Sequence, residues 1–129
     1  MTASTDLDLL TDFFDRYGVA LIVGDLPTIT GCYALPGLVV ADTYSFSFSS
    51  AAAVALSFVG AAPDYTELEL VAAHAGIEQV QQVSSLLVEV AVRWEFLDSQ
   101  GRQVSGERYR YLLRSTEQGP AICTVVRTG

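Results

Sequence analysis

From Asp6 to Gly24 the apolar positions Leu9, Leu10, Phe13, Phe14, Tyr17, Ala20 and Leu21 recur at spacings of three and four. Such a stripe predicts an amphipathic helix with one face turned to a core. Asp6 and Asp8 stand where acids complement the helix dipole, and Gly24 is placed to stop the helix. Asp25 then offers an N-cap and Pro27 falls in the first turn of a short second helix, so the two helices form a hairpin.

The period next changes to two. Tyr44, Phe46 and Phe48 alternate with Ser45, Ser47 and Ser49, so "LPGLVVAD" and "TYSFSFSS" predict two short strands, the second with an aromatic face and a hydroxyl face. Ser49 or Ser50 caps a third, Ala-rich helix, "AAAVALSFVGAA", which Gly60 and Pro63 end or kink. The spacing in "YTELELVAAHAG" carries a further helical piece as far as Gly76. Beyond it "IEQVQQV", "SLLVEVAVRWEFLD", "QVSGERYRYLLRST" and "PAICTVVRT" read as strands, parted by the turn signals "SQGR" and "EQG". The predicted order is ααββαββββ: an α+β architecture with helices packed on one face of a mostly antiparallel sheet.

Composition narrows this to one domain spanning residues 1–129, since halves of such a chain could not each bury an adequate core. Half the residues are hydrophobic and the mean hydropathy is +0.35, which leaves apolar surface for a partner and favours an oligomer. Seven Arg and no Lys face 15 carboxylates, for a net charge of −8, and no stretch is basic enough to neutralise several phosphates. Nucleic acid and anionic membrane surfaces are therefore not expected partners, and the longest largely apolar run, Ala51 to Ala62, is too short to span a bilayer. Four Asp before residue 16 and no basic leader point to a soluble, cytoplasmic protein. Cys32 and Cys123, far apart and outside any CxxC pattern, read as buried free thiols, and no cofactor or metal site is expected.

The densest chemistry lies in "RWEFLDSQGRQVSGERYRYLLR", which holds the single Trp, two of six Tyr and five of seven Arg. Strand alternation separates them. Val88, Val90, Val92, Trp94 and Phe96 share one face with Tyr109, Tyr111 and Leu113, whereas Glu89, Ala91, Arg93 and Glu95 share the other with Arg108, Arg110, Leu112 and Arg114. An Arg row of this kind is an anion site or, more simply, a row of cross-strand pairs with Glu89, Glu95 and Glu107 or a polar dimer contact.

The order of elements, with "FFDRYGVALIVGDLPTITGCYALPGLVV" leading in and "VRWEFLDSQGR…YRYLLRSTEQGPAICTVV" leading out, resembles the nuclear transport factor 2-like superfamily, from Asp6 to Arg127. That superfamily includes ketosteroid isomerases, polyketide cyclases, scytalone dehydratase and many bacterial proteins. The resemblance rests on the aromatic helix start, the "GDL" helix junction, the "YALP" strand entry and the "DSQG" and "EQG" turns. It implies a cone: a strongly bent sheet around the first helix, a cavity lined by helices and the concave sheet face, and homodimerisation through the sheet. It implies no single reaction, because one fold hosts many functions.

In such a cone Trp94, Tyr109 and Tyr111 point inward and are joined by Tyr17, Tyr33 and Phe58. These six either line a pocket for a small apolar or aromatic molecule or fill a core whose hydroxyls are satisfied internally. The catalytic candidates are weaker. His74, the only histidine, reads as a surface or helix-terminal residue, and "VAAHAG" matches no His–Asp motif of the cyclases or the dehydratase. Asp15, Asp42 and Asp64 read as solvated helix or turn residues rather than the carboxylates of an isomerase, and Ser45, Ser47, Ser49 and Ser50 lack a neighbouring base. The expected function is a small-molecule-binding or homodimerising domain with an aromatic-lined cavity. The alternatives are an acid/base isomerase, dehydratase or cyclase with unassigned catalytic residues, and a non-catalytic protein-interaction domain.

Overall fold

The structure, a computed structural model, describes residues 7–59 and 69–129, with the side chains of all of these except 58 and 59. Helix α1 spans Leu7–Val23 and buries Leu10, Phe13, Phe14, Tyr17, Ala20 and Leu21, the stripe read from the spacing except for Leu9, which is exposed in the first turn, while Asp8, Asp12, Asp15 and Arg16 face water. Gly24 ends it at a φ of 71°, a left-handed conformation that costs a glycine little. Helix α2 is Leu26–Gly31; the Thr28 backbone N–H donates to Asp25 Oδ1 at 3.3 Å and the Thr28 hydroxyl to Oδ2 at 2.6 Å, so Asp25 is the cap. Strands β1 (Tyr33–Val40) and β2 (Ser45–Phe48) form a hairpin, and α3 (Ala51–Val59) starts where the Ala53 N–H donates to Ser50 Oγ at 3.2 Å. The predicted stops Gly60 and Pro63, and Asp64, lie outside the described residues.

One predicted element is corrected. The segment expected to continue as helix to Gly76 is, from Leu70 onward, the first part of strand β3, Leu70–Gln82. Alanine-rich sequence leans weakly toward helix, but Ala73, Ala75 and Ile77 also alternate with His74 and Gly76, and pairing along the whole of β4 decides between the two periods. His74 is therefore an exposed strand residue opposite Glu95 on the outer sheet face, not a helix terminus.

Strands β4 (Leu87–Asp98), β5 (Gln103–Thr116) and β6 (Gly119–Arg127) follow as predicted. The six strands make one α+β sheet in the order β2-β1-β6-β5-β4-β3, antiparallel throughout except for the parallel β1–β6 pair. Register shifts interrupt the β1–β6, β3–β4, β4–β5 and β5–β6 pairings, and such irregularities bend and twist a sheet toward the cone form. The β4–β5 turn is set by Asp98, whose Oδ1 accepts the backbone N–H of Gln100 and Arg102 at 2.9 and 3.0 Å. These bonds, the Arg102 amide first, hold the Asp98 carboxyl below its usual range. The core lies between the inner sheet face and the layer of α1, α2 and α3.

Candidate functional site

Because side chains of a strand alternate, each register pair of the β4–β5 hairpin belongs to one face. The inward pairs are Val88 with Leu113, Val90 with Tyr111, Val92 with Tyr109, Trp94 with Glu107 and Phe96 with Ser105. Across the sheet the same layer runs from Val90 through Tyr111, Val125 and Val39 to Phe46. The next layer toward solvent holds Val92, Tyr109 and Arg127.

Five of the six residues expected to face inward do so. Trp94 is 1% exposed and Tyr111 3%, Tyr17 and Tyr33 are buried, and Tyr109 is half-buried. The side chain of Phe58 lies outside the described residues. The buried rings form one contiguous body: Tyr17 lies 6.0 Å from Trp94, 6.4 Å from Tyr111 and 6.1 Å from Tyr33, and Phe14 lies 5.0 Å from Tyr111. Each distance suits the edge-to-face or tilted contact that aromatic quadrupoles favour. Helix α1 reaches Trp94 at Gly18, where an added Cβ would stand 2.9 Å from the indole, so only a glycine allows that approach.

The polar atoms of this body are paired among themselves. Trp94 Nε1 donates to the Tyr111 hydroxyl at 2.8 Å, and the Tyr17 and Tyr33 hydroxyls are 2.7 Å apart. Among the described residues no buried side-chain nitrogen or oxygen lacks a partner. Burial above all, then the neighbouring Tyr33 and Tyr111, pushes the Tyr17 hydroxyl well above the ordinary tyrosine range. Burial likewise raises Tyr111, helped by Tyr33 and opposed by the Trp94 hydrogen bond, with smaller upward contributions from Tyr109 and Glu107. The deep cluster is therefore neutral, a set of donors and acceptors rather than of acids and bases.

Ionisable chemistry enters at its solvent side, through a residue that sequence reasoning put on the wrong face. Glu107, expected to pair with the outer Arg row, has the parity of Tyr109 and Tyr111 and faces inward beside Trp94. The Tyr109 hydroxyl donates to its Oε2 at 2.9 Å, and Arg127 Nη2 stands 3.6 Å from its Oε1. Alternation alone would have placed Glu107 correctly. Its link to Arg127 could not be read, because that depends on the β5–β6 register. The rings also reach solvent by a second route: Tyr33 contacts Phe48 at 5.6 Å, Phe48 contacts Phe46 at 5.1 Å, and Tyr44, 54% exposed, stacks on Phe46, 39% exposed.

On the outer face Arg110 pairs across strands with Glu89 at 3.8 Å, as expected, whereas Glu95 pairs with Arg93 of its own strand at 4.0 Å and Arg108 pairs at 3.4 Å with Glu78 of β3, a partner that the spacing did not single out. Arg114 lies in the same row, opposite Leu87. Asp15 and Asp42 are exposed, away from the inner face, and Ser45 and Ser47 line the exposed side of β2. Cys32 and Cys123 are both free; burial pushes the Cys32 thiol up to about 11, which suppresses thiolate chemistry. Among the described residues no three His, Cys, Asp or Glu side chains gather as a metal site, and no helix is long and apolar enough to cross a membrane.

The comparisons with known proteins follow the fold. A protein from Shewanella oneidensis MR-1 described as NTF-2 like and of unknown function superposes with a TM-score of 0.74 at 13% identity, over 95% of this chain and 98% of its own. An NTF2-like protein with a cystatin-like fold from Novosphingobium aromaticivorans gives 0.72 at 16%, over 95% and 80%. A ketosteroid isomerase-like protein from Erwinia carotovora atroseptica gives 0.60 at 15%, over 97% and 99%. At such identities the likeness is one of fold. No curated protein has a significantly similar sequence. The sequence profile of the family described as NTF2-like protein (DUF6841) matches residues 8–129, nearly the whole chain, and the protein belongs to that family.

Proposed function

We propose that the protein is a binding domain for a small apolar or aromatic molecule, held where the inner aromatic face opens to solvent. The observation that carries this reading is the run of rings from the buried Tyr17–Tyr33 pair through Phe48 to the exposed, mutually stacked Phe46 and Tyr44. A core alone gives no reason for two large rings to stand exposed at the end of such a run, whereas a flat ligand would bury both. The test is a panel of aromatic and alicyclic compounds titrated against the fluorescence of the single Trp94. Saturable binding is expected, and Tyr44→Ala with Phe46→Ala should weaken it on the order of tenfold while leaving the fold intact. A wild-type protein silent to the whole panel sinks the reading.

A second reading, an acid/base enzyme of the isomerase, dehydratase or cyclase type, draws support from Glu107 standing beside the Tyr109 hydroxyl, and from the likeness to a ketosteroid isomerase-like protein. Against it, both carboxylate oxygens of Glu107 already have partners, the Tyr109 hydroxyl on Oε2 and Arg127 Nη2 at 3.6 Å from Oε1. Recovery of bound ligand chemically unchanged supports binding; a product of altered structure supports the enzyme.

We also propose that the protein forms a homodimer through the outer sheet face. Arg93, Arg108, Arg110 and Arg114 there alternate with Glu78, Glu89 and Glu95, and Leu38, Leu112 and Val126 share the face, so a two-fold axis could place unlike charges over each other. Sedimentation as a monomer at micromolar concentration would overturn this.

A further inference from the structure

We infer that β2 pairs with β2 of a second copy, antiparallel about a two-fold axis at Phe46, and that the partner's rings complete the ring seat proposed above. The second half rests on the binding reading; the first does not. The ladder to β1 fixes which backbone groups of β2 are free. The Ala41 N–H donates to the Tyr44 carbonyl at 2.8 Å, in the register that sets Val39 opposite Phe46 and Gly37 opposite Phe48. Antiparallel bonding alternates, so Tyr44, Phe46 and Phe48 turn their backbone groups to β1, and Ser45 and Ser47 turn theirs to the open edge of the sheet. Among the described residues nothing pairs with the backbone groups on that edge.

Each face of β2 is its own complement. With Phe46 opposite the partner's Phe46, Ser45 falls opposite the partner's Ser47 and Tyr44 opposite the partner's Phe48. The serine pairs exchange backbone hydrogen bonds, and the Phe46 pair takes the non-bonded position, where side chains lie closest. Tyr44 and Phe46, 54% and 39% exposed, then join their counterparts in one aromatic strip continuous with both inner faces.

The two edges of the sheet are guarded unequally. Strand β3 has register shifts between Leu70 and Ala72 and between Ile77 and Gln79, irregularities that turn an edge away from a second sheet. Strand β2 pairs with β1 without a shift and carries neither charge nor proline. Of the 7 Arg and 15 carboxylates only Asp42 falls between residues 26 and 59, the stretch that forms α2, β1, β2 and α3. Two copies of net charge −8 therefore meet at their least charged end. Four residues a side make a small contact, since stable interfaces start at about 1,200 Å². A flat molecule lying on the rings of both copies adds to it, so ligand binding and pairing strengthen each other.

The test is sedimentation of the full chain with and without 2-naphthol, for the wild type, Ser47→Pro and Phe46→Arg. The proline removes an edge N–H while sparing the rings and the bonds to β1, and the arginine sets two like charges at the axis. One change acts on the backbone and the other on a side chain, so misfolding of either, read from Trp94 emission, leaves the other to decide. With 2-naphthol the wild type should sediment at about twice the mass of either variant, and Ser47→Pro should bind 2-naphthol about tenfold more weakly. The outer-face contact is untouched by both changes and leaves that ratio as it is. Equal masses for wild type and variants overturn the pairing. A twofold mass difference with equal affinities upholds the pairing and overturns the shared seat. Failure of 2-naphthol to bind the wild type also overturns the shared seat, and a twofold mass difference in its absence upholds the pairing alone.

Discussion

The two faces of the β4–β5 hairpin share one backbone and one turn, and differ in nearly everything else. Inward, Trp94 and Tyr111 are buried, joined by a 2.8 Å hydrogen bond, and packed against Tyr17, Phe14 and Gly18 of α1. Outward, Arg93, Arg108 and Arg110 reach carboxylates at 3.4–4.0 Å with their side chains about half exposed. The contrast separates stability from specificity. Desolvated rings with satisfied polar atoms hold the fold, whereas exposed ion pairs contribute little to it and remain available for contact with another surface.

The hardest test of that division is Trp94→Ala. It opens a large space in the core and takes away the donor on the Tyr111 hydroxyl, so denaturant titration should show a loss of about 3–5 kcal/mol. Gly18→Ala probes the same contact from the helix side. Its Cβ would meet the indole at 2.9 Å and the Ala73 carbonyl at 3.2 Å, and the overpacking should cost about 1–3 kcal/mol.

Alkali tests the buried hydroxyls without mutation. Tyr17 and Tyr111 ionise less readily folded than unfolded, so the stability they contribute is full below the ordinary tyrosine range and declines once the unfolded chain starts to ionise. Stability should be flat up to about pH 10 and then fall by about 1.4 kcal/mol per pH unit for each of the two, and the part of the tyrosinate absorbance that Tyr17→Phe and Tyr111→Phe remove should rise together with unfolding. If that part rises while the fold persists, these hydroxyls are open to solvent. The smallest effect belongs to the outer face: Arg110→Ala should change the unfolding free energy of the monomer by about 0.5 kcal/mol or less. A loss as large as that of Gly18→Ala would erase the distinction between the faces.

Much of this was legible in the residues. The Leu10–Phe13–Phe14–Tyr17 stripe, the Asp25 cap, the β4–β5 alternation and the turn after Asp98 each follow from local spacing, and each stands in the structure. Leu70 to Gly76 was misread as helix because Ala and Gly carry little period information, and the deciding force, a ladder to β4, comes from elsewhere in the chain. Glu107 was misplaced for a different reason: a charged residue among arginines invites pairing by charge, although its parity put it with the tyrosines.

By itself the sequence determined which elements form and which side chains share a face, because periods of 3.6 and 2 are properties of the local backbone. Only the tertiary structure decided that Tyr17 meets Tyr33, that Trp94 donates to Tyr111 over Gly18, and that Arg127 and Tyr109 converge on Glu107. These contacts depend on strand register and on the seat of α1 against the sheet. Both are set by the collective fit of apolar surfaces far apart in the chain, which no local pattern records.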